Sequence, residues 1–392
     1  MTANGPCTAP DVVDVVALGE SMVTFLPSRP GRLADVPSFD RGIGGAESNV
    51  VCVLAAAGHT TRWVSRVGAD GFGDHLVEAV GAYGVDVSAV RRDPARPTGV
   101  YFRTAGDRAG DGHEVAYYRA GSAASAMSAR NIDMAAVRAA RVLHLSGITA
   151  ALSADCLSLL RELTAPLAGR PLISFDVNHR PGLWRDAGGA GVLLELARRA
   201  DLVFVGEDEA EEAWGATGGP EAIRELLPEP RTLVVKQGAA GATVFERGPE
   251  REGHADAHAA PAPASDAHAA PDSDADPGTD ADPVGDGGAA GPGRVGEPAP
   301  RVDVVASVGA GDAFAAGFLS ATLRGLPTRD RLRHGHLMAA AALTVPGDLA
   351  TPATRQHADR LAALDDDAWG TLRLGPGWTH AVDRAPEEVR TP

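Results

Sequence analysis

Lysine is almost missing from this chain: Lys236 is the single one in 392 residues, and every other basic position is Arg or His. Cysteine is scarce too, with three widely spaced residues, Cys7, Cys52 and Cys156. An odd, scattered set builds neither a disulfide framework nor a metal knuckle, and it points to a reducing cytoplasm. There is no uninterrupted run of about 18 apolar residues, so no membrane-spanning helix is expected. The first ten residues hold no basic segment followed by an apolar stretch, so a secretory signal is not expected either. No basic stripe is available to displace counterions, which disfavours nucleic acid as a partner.

The formal charge of −16 is in large part local. Residues 249–300 carry 11 Asp and Glu against 2 Arg, in a background of Ala, Pro, Gly and His. Such a segment has too little apolar surface to offset its ordering entropy and is expected to be a disordered insertion between two strands. The spacing of Asp272, Asp274, Asp276, Asp280 and Asp282 is reminiscent of a calcium loop, but no flanking helices and no closing Glu accompany it.

The rest of the chain alternates. Residues 12–18, 61–67, 142–145, 171–177, 202–205 and 232–235 are short apolar, β-branched runs that suit buried strands. Helical patterns fall at 49–58, 155–167, 190–200, 207–214 and 221–227. Strands alternating with helices of about ten residues imply right-handed βαβ units: an α/β, Rossmann-type, mostly parallel sheet flanked by helices. Residues 21–42 and 98–120 instead alternate apolar and polar side chains, as half-exposed strands do, and are read as a small β-sheet lid. One large domain over 11–352 is expected, followed over 353–392 by one helix and a loose tail.

Two glycine turns carry the chemistry. Residues 302–305 read as a strand, and Gly309-Ala310-Gly311-Asp312 opens the helix after it. Such a turn gathers unpaired backbone N–H groups at the positive end of a helix dipole, which suits charge on a transferring phosphoryl group. Asp312 in the first helical turn is either an N-cap or a base that takes a proton from an attacking hydroxyl. Upstream, Gly44-Gly45-Ala46-Glu47-Ser48-Asn49 lets a ligand approach the backbone closely, and Asn49 offers a donor and an acceptor to hydroxyl groups.

Together these two turns, in this order and at opposite ends of a βα-alternating chain, resemble the paired signatures of the ribokinase-like (PfkB) carbohydrate kinases. The resemblance implies a sugar kinase using ATP and Mg²⁺, with Asp312 as the base and Gly309, Ala310 and Gly311 as the anion hole. It implies that Lys236 lies near the ATP phosphates with Gly238, and that Glu209, in Gly206-Glu207-Asp208-Glu209, serves Mg²⁺. Gly206 stands where the family usually has Asn, and Ala306-Ser307 where it commonly has an Asp-Thr pair that helps bind a monovalent cation, so potassium activation is not expected.

Within the family, residues 98–103, 117–123 and 176–180, followed by Leu183-Trp184, look like 2-keto-3-deoxygluconate kinases. An acidic sugar needs a cation near its carboxylate, and Arg119 and Arg180 can supply a bidentate guanidinium. Tyr101 and Tyr117 can stack on the sugar and donate hydrogen bonds, beside Gly44, Gly45 and Asn49. Arg180 has a second reading, a contact with the ATP γ-phosphate. The rival readings of the whole chain are a kinase for another sugar (fructose, 5-dehydro-2-deoxygluconate or a ribose-like sugar) and a non-catalytic sugar or nucleotide sensor. Whether the chain forms a homo-oligomer is left open.

Overall fold

In the computed structural model, residues 11–104, 114–184, 188–247 and 293–380 are described. The apolar runs form an eight-stranded sheet in the order Arg294–Glu297, Ala242–Glu246, Thr232–Lys236, Leu202–Gly206, Leu172–Asp176, Ala140–Ser146, Val13–Leu18, Thr61–Val64. The strands from Thr232–Lys236 to Thr61–Val64 pair in parallel, and the remaining two add an antiparallel edge.

The parallel strands are apolar throughout because both of their faces are covered. In Val13–Leu18, Val16 and Leu18 enter one core, with Leu159 and Leu160 of helix Ala154–Thr164 and Leu193 and Leu196 of helix Gly189–Arg199. Val15 and Ala17 enter the other, with helices Ala46–Ala56, Ala310–Leu323 and Thr328–Leu343. Phe175 and Phe204, fully buried in different cores, each contribute about 1.5–3 kcal/mol by burial.

A separate four-stranded sheet has the order Phe39–Gly44, Met22–Pro27, Val100–Arg103, Val115–Tyr118. Its faces differ. Phe25 stacks on Phe102 at 4.7 Å and Phe39 meets Phe102 edge-on at 5.1 Å. Tyr101 and Arg103, the alternate residues of the Phe102 strand, reach Asp348 instead.

Three expectations need correction. The expected insertion overran at its end: residues 293–300 are described, and Arg294–Glu297 is the edge strand, while 248–292 lie outside the described residues. The expected strand at 302–305 is only Arg301–Val302, which pairs with Arg373–Leu374 rather than with the main sheet and leaves Val304 and Val305 exposed. The expected loose tail is folded through 380: helix Asp366–Thr371 follows helix Arg355–Ala362, and Trp369 and Leu374 are buried against Leu337 and Ala358. Residues 381–392 lie outside the described residues. Among the described residues, no helix is long and apolar enough to cross a membrane.

Helix Thr328–Leu343 was not legible in the sequence. It is buried on several sides, and its polar residues are internal: Arg333 pairs with Glu297 and lies 4.6 Å over the Trp369 ring. Burial all round removes the amphipathic period that pattern reading depends on.

Candidate active site

The site forms where an open α/β sheet presents its ligands, beyond the carboxyl ends of the parallel strands. Strand Leu172–Asp176 ends in Asp176 and strand Thr232–Lys236 ends in Lys236. Helix Glu207–Trp214 follows strand Leu202–Gly206 directly and carries Glu209 in its first turn.

Helix Ala310–Leu323 brings Asp312 to the same place. Its N-cap, Gly309, is left-handed at φ 77°, and a Cβ there would lie 2.2 Å from the backbone oxygen of Asp348. Only glycine suits both demands. The turn leaves the N–H groups of Ala310, Gly311 and Asp312 without helical acceptors. A Cβ placed on Gly311 would lie 3.6 Å from Lys236 Nζ, so the ammonium faces the same helix end.

Asp312 Oδ2 accepts a hydrogen bond of 2.8 Å from Asn49 Nδ2, in helix Ala46–Ala56. Asn49 Oδ1 is buried and has no hydrogen-bond partner among the described residues, an acceptor ready for a ligand hydroxyl. Burial raises the Asp312 carboxyl to about 7, assisted by the charges of Asp176 and Asp348 and opposed by Asn49 and Lys236.

Lys236 Nζ donates to both oxygens of Asp176, at 3.1 and 3.3 Å. Burial alone would lower the lysine, but Asp176 and Glu209 outweigh it, so the ammonium keeps its proton. Burial raises the Asp176 carboxyl despite Lys236. At Glu209 the balance reverses. Against the burial, Lys236, the Gly206 N–H and Arg180 hold its carboxyl low. Its Oε2 accepts from the Gly206 N–H at 2.9 Å, and Arg180 lies 3.4 Å from Oε1.

Most of the residues expected on the sugar side lie in or beside the small sheet. Gly44 ends strand Phe39–Gly44, where a Cβ would lie 2.5 Å from both Asp348 Oδ2 and Tyr101 Oη, and Gly45 caps the helix that holds Asn49. Tyr117 is half-exposed, with its ring 5.3 Å from that of Tyr101. Arg119 is not a lone cation. It is paired with the buried Glu20, whose other oxygen accepts from Ser122 at 2.5 Å. Arg180 is one-third exposed and is the more accessible of the two guanidinium groups. Gly238 is exposed at φ 56°, two residues past Lys236, with nothing within 4 Å of where a Cβ would sit.

Sequence reading missed several members. Asp176 had a local signal, a carboxylate closing an apolar strand. Asp348 had none. Glu47, although inside the quoted glycine turn, is buried against Gly19, accepts from Thr149 Oγ1 at 2.5 Å and is raised to about 7, chiefly by burial.

The chain matches the pfkB family of carbohydrate kinases over residues 13–273 and 290–355. It belongs to this family, and it is a sugar kinase. It is 33% identical over 351 residues to the 2-dehydro-3-deoxygluconokinase of Bacillus subtilis, covering 88% of this chain and 94% of the relative. The enzyme of that name from Thermoproteus tenax is 34% identical over 254 residues, 63% of this chain and 77% of its own length. A probable fructokinase-6 of Arabidopsis thaliana is 28% identical, covering 86% of this chain and 79% of the relative. Among solved structures, a PfkB protein from Polaromonas aligns at a TM-score of 0.68 with 30% identity, over 90% of this chain and all of that one. Two more share the fold: 2-dehydro-3-deoxygluconokinase of Thermotoga maritima (0.68, 23% identity, 90% and 99% covered) and ATP-bound fructokinase of Xylella fastidiosa (0.67, 20%, 88% and 97%).

Proposed function

We propose that this chain transfers the γ-phosphoryl group of ATP to the C6 hydroxyl of 2-keto-3-deoxygluconate (2-dehydro-3-deoxygluconate). The observation that carries phosphoryl transfer is the placement of buried Asp312 at a helix start, against Asn49 and facing Lys236. The acid sugar is supported by the two gluconokinase relatives and by Arg180, the more accessible guanidinium of the two expected there. ATP is supported by the bound nucleotide of the fold-related fructokinase.

In this reading the Asp312 carboxylate takes the proton of the C6 hydroxyl, which Asn49 orients, and the oxygen attacks the γ-phosphorus in line as its bond to the bridging oxygen breaks and ADP leaves. The N–H groups at Gly309–Gly311 and the Lys236 ammonium meet the charge of the transferring group. The small sheet excludes water that would otherwise hydrolyse ATP. The family implies Mg²⁺ as well. Among the described residues no three metal-ligating side chains converge, and Glu209 is the carboxylate beside the phosphate side. That sparse set fits Mg²⁺, which keeps several waters and is held largely by phosphates. When bound there, it would offset phosphate charge, with Glu209 holding it through water.

ADP release across a panel of sugars tests the assignment. The expected result is a kcat/KM for 2-keto-3-deoxygluconate at least about tenfold above that for fructose or ribose, the discrimination one charged contact gives. A neutral sugar turned over best overturns the substrate. Arg180→Leu is expected to raise the KM for the acid sugar by about 10- to 100-fold, the loss of one charge-assisted contact, and to leave the KM for a neutral sugar unchanged. A rise in the KM for ATP alone would move Arg180 to the γ-phosphate.

The pH profile gives a further check. Asp312 must be ionised to act as the base, and its carboxyl is raised to about 7. The acid limb of kcat/KM is therefore expected near pH 7, well above the ordinary carboxylate range. Burial raises the Glu47 carboxyl to about 7 as well, so the position of the limb alone does not distinguish the two. Asp312→Glu shifting that limb while Glu47→Gln leaves it near 7 would assign it to Asp312.

A further inference from the structure

Asp348 is held from two sides, and both holds come from the lid. Its Oδ2 accepts from Tyr101 Oη at 2.9 Å and its Oδ1 from an Arg103 Nη2 at 2.8 Å, both on strand Val100–Arg103. The same Nη2 donates to the backbone oxygen of Pro346 at 3.2 Å, so Arg103 grips the 346–348 turn twice. The other end of that turn is the anion hole: the Asp348 backbone oxygen is the atom against which Gly309 packs, 2.2 Å from where a Cβ would be.

Arg103 is fully buried, and its Nε and Nη1 have no hydrogen-bond partner among the described residues. A guanidinium in that state costs stability relative to an apolar residue of similar size, because its desolvation is only partly repaid. Its neighbour Phe102 shows that this strand packs well with apolar side chains on its other face. Packing therefore gives no reason for a cation at 103, whereas control of the 346–348 turn does.

We propose that Arg103 is a positioning residue that couples the sugar lid to the phosphoryl-transfer turn, through Asp348 and its contact with Gly309. A sugar that settles the Tyr101–Arg103 strand then also settles the N–H groups of Gly309–Gly311 for the nucleotide. This rests on the reading that those groups receive the γ-phosphate. By linkage, sugar and nucleotide each tighten the other's binding, and Arg103 carries the coupling.

The test is calorimetric titration of the full chain with the non-hydrolysable analogue AMP-PNP and Mg²⁺, with and without the sugar that the panel shows to be phosphorylated best. Using that sugar keeps a wrong substrate assignment from counting against the coupling. In the unmodified chain the sugar is expected to tighten AMP-PNP about tenfold, within the usual range of such couplings. In Arg103→Gln the tightening is expected to fall to about twofold or less, with the affinity for each ligand alone kept within about threefold. Arg103→Lys keeps a charge and three N–H donors but lacks the reach and the planar fork of the guanidinium, and is expected to fall between the two; it serves alone if the Gln variant does not fold. Coupling of equal size in all three proteins overturns the proposal. So does absence of coupling in the unmodified chain, or a loss of sugar affinity by itself, which would make Arg103 a part of the sugar pocket only.

Discussion

Asp312→Asn is expected to lose turnover by about three to four orders of magnitude while gaining stability at alkaline pH. The loss follows from removing the acceptor placed to take the hydroxyl proton; general-base catalysis contributes about 10²–10⁴-fold. The amide oxygen of the variant can still accept from Asn49, so sugar and nucleotide affinity should survive. The stability gain follows from linkage. The carboxyl titrates near 7 in the folded chain against an ordinary value of 3.8, so between those values the folded state holds a proton that the unfolded state has released. Its contribution to stability therefore falls as pH rises through that window and is lost above about 7. Thermal melts should show the variant above the unmodified chain at pH 8, with the gap narrowing toward pH 5. A variant that keeps most of its turnover would remove Asp312 from its role. A variant melting lower at pH 8 would show that the buried charge is better compensated than its surroundings suggest.

Lys236→Met is expected to be the most damaging single change at the site. The ammonium is the cation between Asp176 and Glu209, and Asp312 also feels it. Removing one partner of a buried pair leaves the other charge uncompensated, at a cost of about 3–5 kcal/mol. Transfer should fail as well, because the phosphoryl oxygens lose their compact cation. The two effects separate in a double variant. Lys236→Met with Asp176→Asn removes the orphaned charge and should recover much of the melting temperature, yet none of the ADP release. Recovery of both would mean that Lys236 serves the fold alone.

These expectations differ in how far the sequence foretold them. Lys236 was conspicuous as the chain's one lysine, at the end of an apolar run, and Gly309–Asp312 as a glycine turn opening a helix. Both signals are local: a strand end and a helix start are written in consecutive residues. The partners that set their chemistry are not. Asp176 lies 60 residues from Lys236, Asn49 lies 263 from Asp312, and Tyr101 lies 247 from Asp348. Arg119 shows the cost of reading locally. It was legible as a cation for an acid sugar, but its pairing with Glu20 depends on where the first strand enters the sheet.

The sequence by itself determined the class of fold, the run of parallel strands, the small half-exposed sheet and the two glycine turns, because periodicity and turn chemistry act over a few residues. The tertiary structure decided which carboxylates meet. Strand order places Val13–Leu18 between Ala140–Ser146 and Thr61–Val64, and no local pattern encodes that neighbourhood. It also decided which groups are buried, hence that Asp312 and Glu47 titrate near 7 rather than near 4, since desolvation depends on everything packed around a side chain and not on its neighbours in the chain.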